Sequence, residues 1–278
     1  MPFSSGEPFG PAFPRSPVPL PLRPAPGRRE TVLVLGLGFL LYLFLGFAFL
    51  LAGQRMSLLL IQPLAFALPP ILAVRLFYLD RRRVLPFGAP APRHLLAGVV
   101  GIAGLNHLLT LYGVWQERVW PPPDTWRATF DALLHTEGAI DFAGLVVAVA
   151  IAPAVCEEIL FRGFVQSGLV RQAERPWRGV LTTAVLFGLF HLDPWRFVMV
   201  VALGVFLGWL RQVSGSLWPA ILAHAVNNLI TLGLTAAGFP PAGRAPGTVL
   251  TAIGAAGLVT LAFAIGRRPS ETAAERVL

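Results

Sequence analysis

Two adjacent carboxylates, Glu157 and Glu158, precede Arg162 inside an apolar stretch of the chain, and His191, His224 and Asn228 lie in later apolar stretches. Ionisable groups at membrane depth are costly, so they persist where they pair, line a cavity or do chemistry. Spaced i, i+4 on a helix, Glu158 and Arg162 share a face and can form an ion pair, while Glu157 points about 100° away. A neighbouring cation keeps a buried carboxylate ionised. The expected arrangement has Arg162 holding Glu158 and Glu157 facing a cavity. Pro153, one turn earlier, removes a helical hydrogen bond and can open room beside Glu157. A glutamate beside a histidine such as His191 can activate water as a general base. His224 with the Asn228 amide can supply donors to a developing oxyanion, worth roughly 3 kcal/mol per donor. That set suffices to hydrolyse an amide. The same Glu157, His191 and His224 could instead hold Zn²⁺ with an open position for water. The chain contains no HExxH pattern, which excludes a standard zincin site.

These residues must be positioned by membrane helices. Of the 278 residues, 55% are hydrophobic and 13% charged, against about 25% charged in a soluble domain. A hydrocarbon core ~30 Å thick needs ~20 apolar residues in a helix. About eight stretches qualify: 31–52, 56–78, 94–116, 142–168, 177–192, 196–211, 217–236 and 247–266. The fifth and sixth are short. The expected fold class is all-α, a polytopic membrane helix bundle of about eight transmembrane helices. Residues 1–28, with nine prolines, read as a disordered cytoplasmic tail. Residues 29–268 form one membrane domain whose catalytic core covers about 140–235, and 269–278 form a second tail.

The net charge of +8 comes from arginine, since the chain has no lysine. The arginines cluster beside apolar spans, so they are a topology signal and imply no nucleic-acid partner. Arg28-Arg29, Arg81 to Arg83, Arg93, Arg171, Arg175, Arg178, Arg211 and Arg267-Arg268 fall on one side of an eight-span fold. Both termini are therefore expected in the cytoplasm. The outer loop 117–141 is acidic, and within it Trp126 to Leu134 can form a short helix in the interface. A single cysteine rules out an internal disulfide framework or a Cys-based metal cluster.

Helix spacing allows a depth estimate. Glu157 and His191 lie ~21 Å from the charged turn at 171–176 and are level with each other. His224 and Asn228 lie ~9–15 Å up their helix, so one cavity opens toward the cytoplasm with His224 nearer its mouth. Asn227 competes with Asn228 for the cavity-facing position. His107 is expected to hydrogen-bond between helices, His94 and His135 to be solvated, and Cys156 to be structural rather than catalytic. Gly204 and Gly208 are expected to let two helices approach closely.

The strings Glu157-Glu158-x-x-x-Arg162, Phe187-x-x-x-His191 and His224-Ala225-x-x-Asn228, with Gly163 and Gly204-x-x-x-Gly208, resemble the motifs of the CAAX-protease and bacteriocin-processing (CPBP) family of intramembrane proteases, which includes the Ras-converting CAAX endopeptidase. The resemblance implies an all-helical, usually eight-span fold with a cytoplasm-facing chamber. It implies that Glu157 activates water with His191, that His224 and Asn228 stabilise the oxyanion, and that Glu158 and Arg162 order the site. It leaves a glutamate-driven and a Zn-dependent mechanism open. Three ligands at unequal depth would have to adjust to reach tetrahedral geometry, which favours the metal-free form.

The leading expectation is an intramembrane endopeptidase that cuts a peptide or membrane-protein substrate near the cytoplasmic half of a bilayer. The arginine bias suggests a bacterial cell membrane. Two other classes stay open: a catalytically silent immunity or signalling-regulator protein of the same fold, and a proton-coupled transporter. A transporter of this kind predicts inverted repeats, and the sequence displays none.

Overall fold

The computed structural model describes residues 21–50, 54–237 and 249–267. Most of the Pro-rich N-terminal segment and the C-terminal tail, with the expectations attached to them, lie outside the described residues. Every regular element among those described is helical, and the one β-bridge is an isolated contact between Arg23 and Leu79. The helices are α1 (Arg28–Leu50), α2 (Leu59–Leu76), α3 (Pro92–Val119), α4 (Asp124–Leu134), α5 (Ala139–Gln172), α6 (Pro176–Phe190), α7 (Phe197–Ser214), α8 (Trp218–Ala236) and α9 (Val249–Gly266).

Six of these (α1, α2, α3, α5, α7 and α8) are long and apolar enough to cross a membrane. Among the described residues α6 and α9 are shorter apolar helices. The total agrees with the bundle expected, but the sixth span is longer than its apolar run suggested. Large apolar side chains such as Leu33, Leu40, Phe44 and Phe47 point outward from α1. Lipid solvates them at no cost, so this integral membrane protein has an apolar exterior as well as an apolar interior.

The core divides into two clusters. One joins α1, α2, α5 and α6 through Val34, Ile61, Phe66, Leu160, Phe161, Phe164 and Phe187. The other joins α3, α7, α8 and α9 through Ala97, Ile102, Phe206, Leu207, Leu210, Ala223 and Ala262. Small residues bring the two clusters together. A Cβ on Gly204 would lie 3.0 Å from Ala184 Cα, so α6 and α7 approach closely at that point. This is the role expected for that glycine.

Prolines shape α2 and α5. Residues Gln62–Ala67 contain Pro63, and Val147–Ile151 lie just before Pro153. Both stretches widen to i→i+5 hydrogen bonding, because a proline nitrogen has no hydrogen to donate. A third widened stretch, Ile159–Val165, begins immediately after Glu158. Turns of this kind gather at functional sites in helices. Here they bracket the paired glutamates on both sides.

The short interfacial helix expected in the acidic loop is α4, which buries none of its own side chains. It covers the tip of the α6–α7 hairpin, where the Arg196 guanidinium stacks 3.8 Å from the Phe130 ring and 5.0 Å from the Trp126 ring. His107 Nε2 meets Thr251 Oγ1 at 3.2 Å, linking α3 to α9 as expected. His94 corrects the sequence reading: it is buried, at 4% exposure, rather than solvated. It sits in the first turn of α3, which packs against α8 and α9 instead of ending in water. His135 is exposed.

Candidate active site

Glu158 and Arg162 are both fully buried, with Arg162 Nη1 donating to Glu158 Oε1 at 2.7 Å. His224 Nδ1 reaches the same oxygen at 2.9 Å. Arg162 Nη2 donates to the Gly204 carbonyl at 3.2 Å, and its guanidinium lies 4.3 Å from the centre of the Phe187 ring. A buried cation is tolerable only with such compensation, here one carboxylate, one carbonyl and one aromatic face. The pairing inferred from the i, i+4 spacing is present. It also joins α5 to α8 and α7.

Glu157 has a different environment. Gln62 Nε2 donates to its Oε1 at 3.2 Å. Its Oε2 makes no hydrogen bond among the described residues and lies 4.0 Å from His224 Nε2. One oxygen is therefore fixed and the other keeps its lone pairs available. Gln62 was not anticipated. The sequence signal for it was a lone amide directly before Pro63 in an otherwise apolar run.

His191 caps α6 rather than lying within it, where the chain turns toward α7. Its Nδ1 is 2.8 Å from the Phe187 carbonyl. A carbonyl only accepts, so Nδ1 carries the hydrogen and Nε2 keeps a free lone pair. The two imidazoles pack edge-on against the same Phe187 ring, His191 at 4.7 Å and His224 at 5.8 Å between centroids. Phe187 thus spaces both histidines around the buried ion pair. Cys156, beside Glu157, is buried.

The depth order expected for His224 needs correction. It was placed nearer one mouth of the cavity than the glutamates, but it bonds Glu158 directly and so shares its level. The cause lies at the start of α8. Leu217 N donates to Pro86 O at 2.9 Å, and Trp218 Nε1 donates to Phe87 O at 3.0 Å. Val84 and Leu85 just before that segment are buried, with Leu85 against Gly163 of α5. The loop therefore dips into the bundle and α8 begins well inside it. Counting residues from a helix start assumes that the start lies at the surface.

Asn228 lies one turn beyond His224, and its Nδ2 donates to Val149 O of α5 at 3.3 Å. Its Oδ1 accepts from Asn227 Nδ2 at 3.2 Å, and Asn227 Oδ1 accepts from Asn106 Nδ2 at 3.0 Å. Asn227 is thus engaged in packing α8 on α3. Asn228 keeps one amide hydrogen beyond its bond to Val149.

A Zn²⁺ ion would need three protein donors about 2 Å from one point. Among the described residues no three His, Cys, Asp or Glu side chains converge in that way. His224 Nδ1 bonds Glu158, which leaves Nε2 as its one possible metal ligand.

Residues 139–230 match the family described as Rce1-like, Type II CAAX prenyl endopeptidase Rce1-like. The matched segment begins with the first residue of α5 and ends within α8, so it contains Glu157, Glu158, Arg162, His191, His224 and Asn228. This agrees with the family resemblance carried by the three motifs. No curated protein and no solved structure matches the chain.

Proposed function

We propose that this chain is a glutamate-driven intramembrane endopeptidase that hydrolyses a peptide bond in the cytoplasmic half of the bilayer. The observation that carries this reading is the division of labour between neighbouring glutamates. Glu158 Oε1 is held by Arg162 and His224, whereas Glu157 Oε1 is held only by the neutral Gln62 amide; Oε2 of each makes no hydrogen bond among the described residues, and that of Glu157 lies 4.0 Å from His224 Nε2.

In this mechanism Glu157 Oε2 takes a proton from a water molecule as the water oxygen attacks the scissile carbonyl. The Nε2 lone pair of His191 accepts the other hydrogen of that water and orients it. The carbonyl oxygen becomes an oxyanion facing α8. His224 Nδ1 donates to Glu158 Oε1, and the step requires the imidazolium form, in which Nε2–H is the donor toward the oxyanion. The remaining Asn228 amide hydrogen provides a second donor. Glu157 then passes its proton to the departing amine as the C–N bond breaks. No step requires a metal, so cleavage is expected to persist under chelation.

The test compares membrane peptidomes of cells carrying the wild type or Glu157→Gln, with cleavage by purified protein assayed alongside. The expected result is a set of peptides that disappears in the variant while the protein still inserts and folds. Identical peptidomes and equal turnover would overturn the reading.

A further inference from the structure

The arginine-rich end of the bundle contains a second polar feature that proteolysis does not use. A cavity of about 280 Å³ lies beyond Arg162, toward the C-terminal end of α5. Its walls come from the segment before α1, the turn after α2 and the final turns of α5 and α7, and they bring together Arg83, Arg162, Arg171 and Arg211. None of its lining residues is acidic. Two of the four guanidinium groups have carboxylate partners: Arg162 with Glu158, and Arg83 with Asp80 at 3.4 Å. Among the described residues no carboxylate pairs with Arg171 or Arg211. Arg211 Nη2 donates to the Arg83 carbonyl at 3.3 Å. The Nε hydrogens of Arg211 and of fully buried Arg162 are buried and have no acceptor among the described residues.

A cavity with two cations that pair with no carboxylate among the described residues, and with unmatched buried donors, suits an anion. Guanidinium forks suit the tetrahedral oxygens of phosphate, which can bridge several arginines at once. Arginine clusters at the end of a membrane bundle lie where anionic headgroups are available. We propose that this cavity binds a phosphate group, presented by an anionic phospholipid headgroup or free in solution. The bound anion ties α5 to α7 and the turn after α2. It also bears on Arg162, and through Arg162 on the position of Glu158.

The test uses the full chain in nanodiscs and reads binding, so its outcome does not depend on whether the protein cleaves peptides. In one arm, nanodiscs of pure phosphatidylcholine are titrated with inorganic phosphate. In the other, phosphatidylglycerol is introduced in rising fraction and retained lipid is counted by native mass spectrometry. Saturable one-to-one binding of phosphatidylglycerol alone assigns the lipid source. Binding of phosphate in neutral nanodiscs assigns the free anion. In either case Arg171→Gln and Arg211→Gln are each expected to weaken binding roughly tenfold. Arg171 is exposed, so Arg171→Gln carries the test even if Arg211→Gln folds poorly. Arg29→Gln removes an exposed arginine that does not line the cavity and is expected to change nothing. Failure of both ligands to bind, wild-type affinity in Arg171→Gln, or an equal loss in Arg29→Gln would overturn the proposal.

Discussion

Glu157 and Glu158 are the same residue type at neighbouring positions of one helix, yet α5 presents them to two different environments. Glu158 points where α5, α7 and α8 meet and becomes the shared acceptor of a guanidinium and an imidazole, with no exposure to solvent. Glu157 points toward α2, where a single amide fixes one oxygen and leaves the other uncommitted. A carboxylate whose Oε1 is held by a guanidinium and an imidazole is a structural element, because protonating it would break the ion pair, even though its Oε2 makes no hydrogen bond among the described residues. One held only by a neutral amide can accept a proton at little structural cost. The roughly 100° between successive residues on a helix suffices to separate the roles.

Breaking the Glu157 side should cost activity and little else. Glu157→Gln is expected to lower turnover by about 10²–10⁴-fold, the range for loss of a general base, with an unfolding temperature close to wild type. Breaking the ion-paired side should cost stability. Arg162→Met leaves the Glu158 charge buried without its main partner, and denaturation in detergent should show a loss of about 3–5 kcal/mol. Turnover of the folded fraction should fall as well, since His224 loses its anchor. Equal stability in both variants would remove the distinction between the two glutamates.

Smaller effects sharpen it. Asn228→Ala should reduce turnover by about 10²-fold through loss of an oxyanion donor, with peptide affinity nearly unchanged. Gln62→Ala removes one hydrogen bond to a charged group, worth about 1.5–3 kcal/mol. It should lower turnover roughly tenfold with a modest change in unfolding temperature. Gln62→Asn, too short to reach, should resemble Gln62→Ala. His107→Phe, which removes a contact between α3 and α9, should change stability by about 1 kcal/mol or less and leave cleavage intact.

The sequence made some of this legible. The Glu158–Arg162 pair followed from i, i+4 geometry, and the widened turn before Glu157 followed from Pro153. Both are local consequences of helix geometry. What escaped was set by how helices meet. His224 sits at the level of Glu158 because α8 starts on the 84–88 loop, whose first three residues are buried, and no local pattern reveals where in the bundle a helix begins. His94 is buried for a similar reason, since α3 is covered by neighbours at its first turn. Gln62 lies more than ninety residues before Glu157, and only the packing of α2 on α5 brings them together.

A double-mutant cycle on unfolding free energy tests most directly which glutamate belongs to the buried network. It compares Glu158→Gln with Arg162→Met, singly and together, against Glu157→Gln with Arg162→Met. The expected result is a coupling of about 1–3 kcal/mol for Glu158 with Arg162 and less than about 0.5 kcal/mol for Glu157 with Arg162. A coupling that follows Glu157 instead would mean that Arg162 holds the wrong glutamate, and Glu157 would not be free to activate water.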